Sequence, residues 1–198
     1  MTMLMINDNG ITGKVTATGT AATSLNGSAG ISMADSSIAF GSGYYNASCT
    51  QGYARLSSNN PVADTSCWIN TTAYLTSDDQ HVIRNSGTTL LNVTLDSDMT
   101  SGEALFCGGD GGCLSTNTAE VKYLSNNEEP NSCNLGLVSS MTDVLTYSGE
   151  VGSTLDVCDS LNYEDENDEL RVAYEFFVPA DATSGEKTLT ITYTGTAL

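Results

Sequence analysis

The chain of 198 residues is long enough to form one sizeable hydrophobic core, and 24 acidic against 6 basic residues give it a formal net charge of -18. A surface of this charge repels nucleic acid and anionic lipid, so neither is an expected partner, whereas cations are favoured. No apolar run is long enough to span a membrane. The segment Met1–Ile6 is also too short for the apolar part of a signal peptide, so we expect the numbering of an exported protein to begin near its mature N-terminus, with the leader absent.

The first predicted element is a strand in ITGKVTATGTA, residues 11–21, whose one face carries mainly small side chains. Small inward side chains suit a strand that lies in a groove, including a groove on another subunit. We therefore predict an N-terminal donor strand over residues 1–21 and one disulfide-stapled domain over residues 22–198. The predicted subunit interface consists of Ile11, Val15, Ala17 and Gly19.

The middle of the chain predicts a succession of short strands separated by turn residues, a pattern typical of β-sandwiches. Strands are expected near residues 31–33, 38–40, 68–75, 81–84, 88–95, 119–124, 135–138, 144–147 and 153–157. Residues 47–66 are interpreted as a loop excursion from the sandwich. Residues 106–113, FCGGDGGC, lack the Lys-Ser/Thr of a phosphate-binding loop and predict a tight surface loop.

The C-terminal end, from Leu170 to Leu198, has the clearest pattern. Alternating apolar residues predict one strand over residues 172–178 and another after Lys187, whose opposite face carries threonines. The polar segment between them predicts an antiparallel hairpin, with a second sheet covering its apolar face. The end of the last strand, TYTGTA, also nearly repeats TATGTA of residues 16–21, so both ends of the chain predict edge-type strands suited to β-augmentation. Coincidence in a threonine-rich chain is the alternative.

The cysteine pattern favours disulfides over zinc, because no paired CxxC is present and the only histidine is His81. Fifteen pairings are possible, although order along the chain favours three short loops. Buried free thiols in a cytosolic protein are the alternative. The six predicted disulfide residues are Cys49, Cys67, Cys107, Cys113, Cys133 and Cys158.

Four N-x-Ser/Thr sequences agree with export and predict N-glycosylation, at Asn26, Asn46, Asn70 and Asn92. In LLNVTLD, Asn92 alternates with apolar residues and is expected on the solvent face.

An acidic run, residues 162–169, precedes the last two strands. Its side-chain oxygens could bind calcium, the one cofactor considered, through Asp165, Asn167 and Asp168, although the spacing is not that of an EF-hand. A solvated acidic loop is the alternative.

Catalytic patterns are missing from the sequence: one histidine, no Gly-x-Ser-x-Gly and no HExxH argue against triads and zinc hydrolysis. Paired carboxylates are too common in this chain to predict glycoside hydrolysis. We therefore expect a protein that is not an enzyme. Trp68, next to Cys67, is expected to be in the core, while Tyr44, Tyr45 and Tyr53 could stack on a sugar.

Three stretches carry a family resemblance: LLNVTLDSD (residues 90–98), SCNLG (132–136) and the acidic segment with its two following strands (158–197). They resemble secreted β-sandwich surface proteins of archaea, especially those of small-celled uncultivated lineages. More distantly, the architecture is similar to that of fibre subunits of the TasA and camelysin type and of archaeal thread pilins. In those families the N-terminal strand of one subunit completes the sheet of its neighbour.

Together these features predict an all-β fold, an immunoglobulin-like or jelly-roll sandwich, located outside the cell or on its surface. The expected function is a structural subunit that polymerises head-to-tail by strand donation, with itself as partner. The alternative is an adhesion or carbohydrate-binding module that contacts glycans or a partner cell.

Overall fold

A computed structural model describes residues 13–23, 29–59, 67–72, 75, 79–109, 112–114, 118–152 and 154–198. Within these ranges the chain forms twelve strands and one short helix, which confirms the predicted all-β fold. The elements are β1 (Gly13–Thr23), β2 (Ile31–Asp35), β3 (Ser37–Tyr45), β4 (Tyr53–Ser57), β5 (Trp68–Asn70), β6 (His81–Asn85), β7 (Leu91–Ser97), α1 (Gly102–Cys107), β8 (Glu120–Asn127), β9 (Thr142–Leu145), β10 (Leu155–Leu161), β11 (Glu169–Pro179) and β12 (Lys187–Ala197).

The strands form two sheets that pack face to face, as expected for a sandwich. The first sheet has the order β10-β7-β12-β1-β3-β5, and the second has the order β2-β6-β11-β8-β9. Strand β4 also belongs to the second sheet, where it pairs with the C-terminal half of β11 while β6 pairs with its N-terminal half. The first and last strands therefore both lie in the interior of the first sheet, and the prediction that they are edge-type strands is wrong.

The predicted hairpin between the last two strands is wrong. Both strands are present, but β11 belongs to the second sheet and β12 to the first, so that the connection between them crosses the sandwich. The physical reason is that β11 has no free edge: β8 pairs along one side, and β6 and β4 occupy the other. The two apolar faces meet across the core, where the side chains of Tyr174 and Tyr193 are fully buried.

The sequence does not predict the helix α1, whose last two residues belong to the predicted surface loop of residues 106–113. Ser101 caps the helix by accepting a hydrogen bond from the backbone N–H of Ala104 at 3.0 Å. Gly108 ends it with a φ of 79°, a left-handed conformation that favours glycine. Six helical residues are too few to produce a recognisable apolar periodicity.

Two further assignments need correction. The predicted loop excursion of residues 47–66 contains β4, which is an integral part of the second sheet. Conversely, the predicted strand at residues 135–138 is not a strand, although the carbonyl of Val138 accepts a hydrogen bond from the N–H of Ser125 in β8.

The six cysteines form three disulfides, and the pairing is the one favoured by their order along the chain: Cys49–Cys67, Cys107–Cys113 and Cys133–Cys158. Trp68 is buried beside Cys67, as predicted. Three disulfides indicate an oxidising environment outside the cytosol.

Candidate functional site at the first strand

The first strand has hydrogen-bonded neighbours on both sides. It pairs in parallel with β12 over nine residues, from Val15 opposite Lys187 to Thr23 opposite Gly195. On its other side it pairs antiparallel with β3, with a register shift between Lys14 and Thr16. All other strand pairs among the described residues are antiparallel. Because β1 and β12 are parallel, they cannot be two consecutive strands joined by a tight turn.

The outer face of this pairing is polar. Thr18 lies opposite Thr190 and Thr20 lies opposite Thr192, and the hydroxyl oxygens of Thr20 and Thr192 form a hydrogen bond at 3.1 Å. The near-repeat in the two strands is offset, because Thr16 pairs with Thr188 and not with its counterpart Thr192. Sequence similarity therefore does not set the register between them.

The inner side of β1 meets the second sheet most closely at Gly19. A Cβ atom at this position would lie 2.8 Å from Cε of Met33, 3.1 Å from Nδ1 of His81 and 3.2 Å from Cε1 of His81. Side-chain atoms do not normally approach this closely, so the position suits only glycine without rearrangement. The backbone of Gly19 pairs with Ile191 and donates its N–H to the carbonyl of Ser36 at 2.9 Å.

The histidine beneath Gly19 belongs to a buried polar network. Nδ1 of His81 and the hydroxyl of Tyr193 form a hydrogen bond at 2.9 Å, and the hydroxyls of Tyr193 and Tyr174 form another at 2.5 Å. The histidine ring stands edge-on to both tyrosine rings, with centroids 5.3 Å and 5.8 Å away. Burial raises the pKa of both phenols well above the ordinary value, so both remain protonated and able to donate a hydrogen bond.

A third buried tyrosine hydroxyl belongs to β8, which pairs with β11. Tyr123 donates a hydrogen bond to the carbonyl oxygen of Asp156 at 2.6 Å, and burial together with the charge of Asp156 raises its pKa to about 12. The core between the two sheets thus contains several polar groups whose hydrogen bonds are made within the protein.

Three of the four predicted interface residues are among the residues that the structure describes. Ile11 lies outside the described residues. Val15 and Ala17 lie in the ladder opposite Lys187 and Leu189, and Gly19 lies over the second sheet. Sequence reasoning missed Met33 and His81 as their counterparts, and the available signal was the lone histidine at an inward position of the alternating run HVIRN.

Three of the four predicted glycosylation residues are described, and Asn26 lies outside the described residues. Asn70 is exposed at the end of β5, and Asn46 and Asn92 are half-buried. The side-chain oxygen of Asn46 accepts the N–H of Ser48 at 3.0 Å. Glycosylation at these residues stays a prediction.

The guanidinium of Arg84 forms ion pairs with the acidic loop. Nε of Arg84 lies 3.2 Å from Asp168 and 3.0 Å from Glu169, and its guanidinium is 4.0 Å from Asp165. Asp165 is exposed, whereas Asp168 is buried; burial raises the pKa of Asp168, and the charge of Arg84 opposes this shift. Calcium binding by Asp165, Asn167 and Asp168 stays a prediction, and an added ion would compete with Arg84.

Elsewhere in the structure, three residues have possible metal-ligand atoms close to one another. Donor atoms of Cys107, Cys113 and Asp181 lie within 4.8 Å of one another. The two sulfurs are joined in a disulfide and do not offer thiolates to a metal. In this oxidised state the group is structural, and the carboxylate of Asp181 accepts the N–H of Leu114 at 2.5 Å.

Two of the three tyrosines considered for sugar stacking serve the fold. Tyr45 donates a hydrogen bond to the carbonyl of Cys49 at 2.9 Å, and the ring of Tyr53 packs on Phe177 with centroids 5.4 Å apart. Tyr44 is half-buried in β3. These contacts give no particular support to an aromatic binding platform.

Among the described residues, no helix has the length and apolar character needed to cross a membrane. Comparison with known proteins gives no family assignment: no protein-family model matches the chain, and no curated protein matches it either.

Proposed function

We propose that the protein is a structural subunit of an extracellular filament or surface layer, in which β1 of one copy lies between β3 and β12 of the next. The observation that carries this proposal is the place of β1. It is an interior strand of the first sheet, yet it is attached to the rest of the described fold only through the connection that follows Thr23. A strand attached at one end can be exchanged between copies with every hydrogen bond preserved.

Exchange of this strand gives a head-to-tail contact. One copy donates β1 and accepts another copy's β1 at a different part of its surface, so the two surfaces differ, and the contact repeats as an open filament when the rotation between successive copies does not close a ring. Each contact would bury the polar main chain of a strand of eleven residues together with the core region beneath Gly19. A filament grows by this contact alone.

The described sheet edges favour strand exchange over edge-to-edge stacking. The outer edge of β10 is covered by residues 132–135, through hydrogen bonds such as Asn134 N–H to Ser160 carbonyl at 2.9 Å, and the Cys133–Cys158 disulfide holds this segment in place. Residues 149–151 fold back on β9 in the same way. The remaining edge strands among the described residues, β2, β4 and β5, are five, five and three residues long. Covered and short edges oppose addition of a further strand.

The distribution of charge along the chain also supports β1 as the donated strand. Residues 1–23 contain one acid, Asp8, and one base, Lys14, so the whole charge of -18 belongs to the remainder of the chain. A neutral strand can enter a neighbour without adding to the repulsion between the acidic bodies. That repulsion is screened by salt, so assembly should become faster as ionic strength rises.

A cross-linking experiment tests the proposal. Thr18 and Thr190 lie directly opposite each other in β1 and β12. We would mix a T18C variant with a T190C variant under assembly conditions and look for covalent dimers on non-reducing gels, with peptide mapping of the new disulfide. A dimer linked through these positions forms only when β1 of one copy lies beside β12 of another. The matched control replaces T190C with T94C, since Thr94 is separated from β1 by β12.

Electron microscopy of a chain lacking residues 1–23 supplies the second test. This variant can accept a strand but has none to donate, so it should not form filaments and should shorten those of the parent when it is added to them. Filaments of parental yield from the shortened chain, or the absence of T18C–T190C dimers in a filament preparation, would overturn strand exchange.

A further inference from the structure

The closest approach between the first strand and the second sheet falls at one residue of β1. Above His81 and Met33 there is no room for a Cβ, since it would lie at 2.8–3.2 Å from their side-chain atoms. The two contacts are not equivalent. Cε of Met33 is the free end of a flexible, half-buried side chain and can move away.

The ring of His81, in contrast, is fixed. It is fully buried, it is hydrogen-bonded through Nδ1 to Tyr193, and Tyr193 is itself bonded to Tyr174. Both tyrosines are also fully buried, so the ring cannot shift without disturbing two buried hydrogen bonds. His81 therefore forms a rigid point against which β1 must fit.

The residues on either side of Gly19 determine which registers of β1 fit over His81. A shift of the strand by one residue would exchange its two faces, which the buried side prevents. A shift by two residues in either direction would keep the faces but would place Ala17 or Ala21 over His81. Glycine is thus present at the required position in one register and absent in both neighbouring ones.

We infer that Gly19 sets the register of the inserted strand, and that the cleft between β3 and β12 selects a strand with glycine opposite Ile191, which is the first strand of a second copy of this chain. For insertion between copies, this inference rests on the proposed function. The steric fit of Gly19 against His81 is the same when the strand belongs to its own chain. The role of Gly19 and the exchange of strands between copies can therefore be tested separately.

The experiment moves the glycine and follows the register. A cysteine at position 18 reports the register through its preferred partner among T188C, T190C and T192C, which lie at successive outward positions of β12. With the natural strand, T190C is the expected partner. In a G19A/A21G strand the glycine is at position 21, and it lies opposite Ile191 only if the strand slides by two residues. Position 18 then lies opposite position 188, so the dominant disulfide should form with T188C. In a G19A/A17G strand it should move to T192C.

Two further variants serve as controls. A17G alone offers glycine in two registers and should give disulfides with both T190C and T192C. G19V places a branched side chain against the histidine ring and should lose the disulfide with T190C, while A21V, which changes a neighbouring position of the same strand, should retain T190C as its principal partner. Each pair is made both between copies and within one chain, where the product is a monomer of altered mobility.

The outcomes separate the two proposals. Disulfides that follow the glycine within single chains but never form between copies support the role of Gly19 and overturn strand exchange. Disulfides that form between copies but stay at T190C in both sliding variants, or a G19V strand that pairs with T190C at the parental yield, overturn the role of Gly19.

Discussion

The hydroxyl of Tyr193 is the shared member of two buried hydrogen bonds, and its removal tests whether this network stabilises the sandwich. The substitution Tyr193→Phe keeps the ring but removes the partner that Nδ1 of His81 and the hydroxyl of Tyr174 use. A buried polar group left without its partner costs about 1–3 kcal/mol, and two hydrogen bonds are lost, so we expect a decrease of roughly 2–6 kcal/mol in the free energy of unfolding.

Tyr174→Phe should have a smaller effect, because the Tyr193 hydroxyl keeps its bond with His81. The net contribution of one hydrogen bond, about 0.5–1.5 kcal/mol, is the expected loss. In the double variant the isolated Tyr174 hydroxyl is gone, so this variant should be more stable than Tyr193→Phe alone, by the roughly 1–3 kcal/mol that an unpaired buried hydroxyl costs. The two changes are therefore expected to be strongly non-additive.

Equilibrium unfolding in guanidinium chloride, with disulfides intact, measures these differences, and the single tryptophan, Trp68, is a buried fluorescent reporter. Tyr163→Phe is the matched control, because Tyr163 is exposed in the acidic loop and should change stability little. A Tyr193→Phe variant within about 0.5 kcal/mol of the parent, or a double variant whose loss equals the sum of the single losses, would refute the reasoning.

Three other predictions concern the stability of the domain. Ser101→Ala removes the cap of α1 and should cost about 1 kcal/mol in thermal unfolding, whereas the exposed neighbour Thr100→Ala should cost little. Replacing Cys133–Cys158 by alanines opens a loop with a sequence separation of 25 and should cost about 3.5 kcal/mol, against about 2 kcal/mol for Cys107–Cys113 with a separation of 6; equal losses in denaturant unfolding would contradict this entropic argument. The melting temperature should rise as the pH falls from neutral towards the ordinary carboxyl pKa values of 3.8 and 4.5, because three carboxyls whose pKa values are raised in the folded chain bind protons more tightly there than in the unfolded chain. This gain is complete only below those ordinary values, and a calorimetric melting temperature that falls over this range would contradict it. The carboxyls concerned are Asp79, Glu150 and Asp168.

The strands were predictable from sequence wherever the alternation was long. β11 and β12 lie within a few residues of their predicted ranges, because their alternating apolar residues are buried on one face. The choice of sheet was not predictable, since the pattern of a strand describes its faces and not its neighbours. β4 was missed for another reason: its five residues, YARLS, contain only one clear alternation inside a polar stretch.

The candidate site was predictable only in part. The small residues of β1, Gly19 among them, predict a strand in a groove. Its counterpart His81 could not be identified, because that contact depends on how the two sheets are stacked. Likewise, the acidic run suggested a cation, but the nearest positive charge in the structure comes from Arg84, in a strand far away along the chain.

The parallel pairing of β1 with β12 also affects when the sheet can be completed. Thr20 and Ile191, which meet in this pairing, are 171 residues apart. At the usual speed of synthesis this separation corresponds to a delay of roughly 10–30 s between the appearance of the two strands. During this interval the first strand has no β12 of its own chain to pair with. The first sheet can therefore be completed within one molecule only after the last strand has been made.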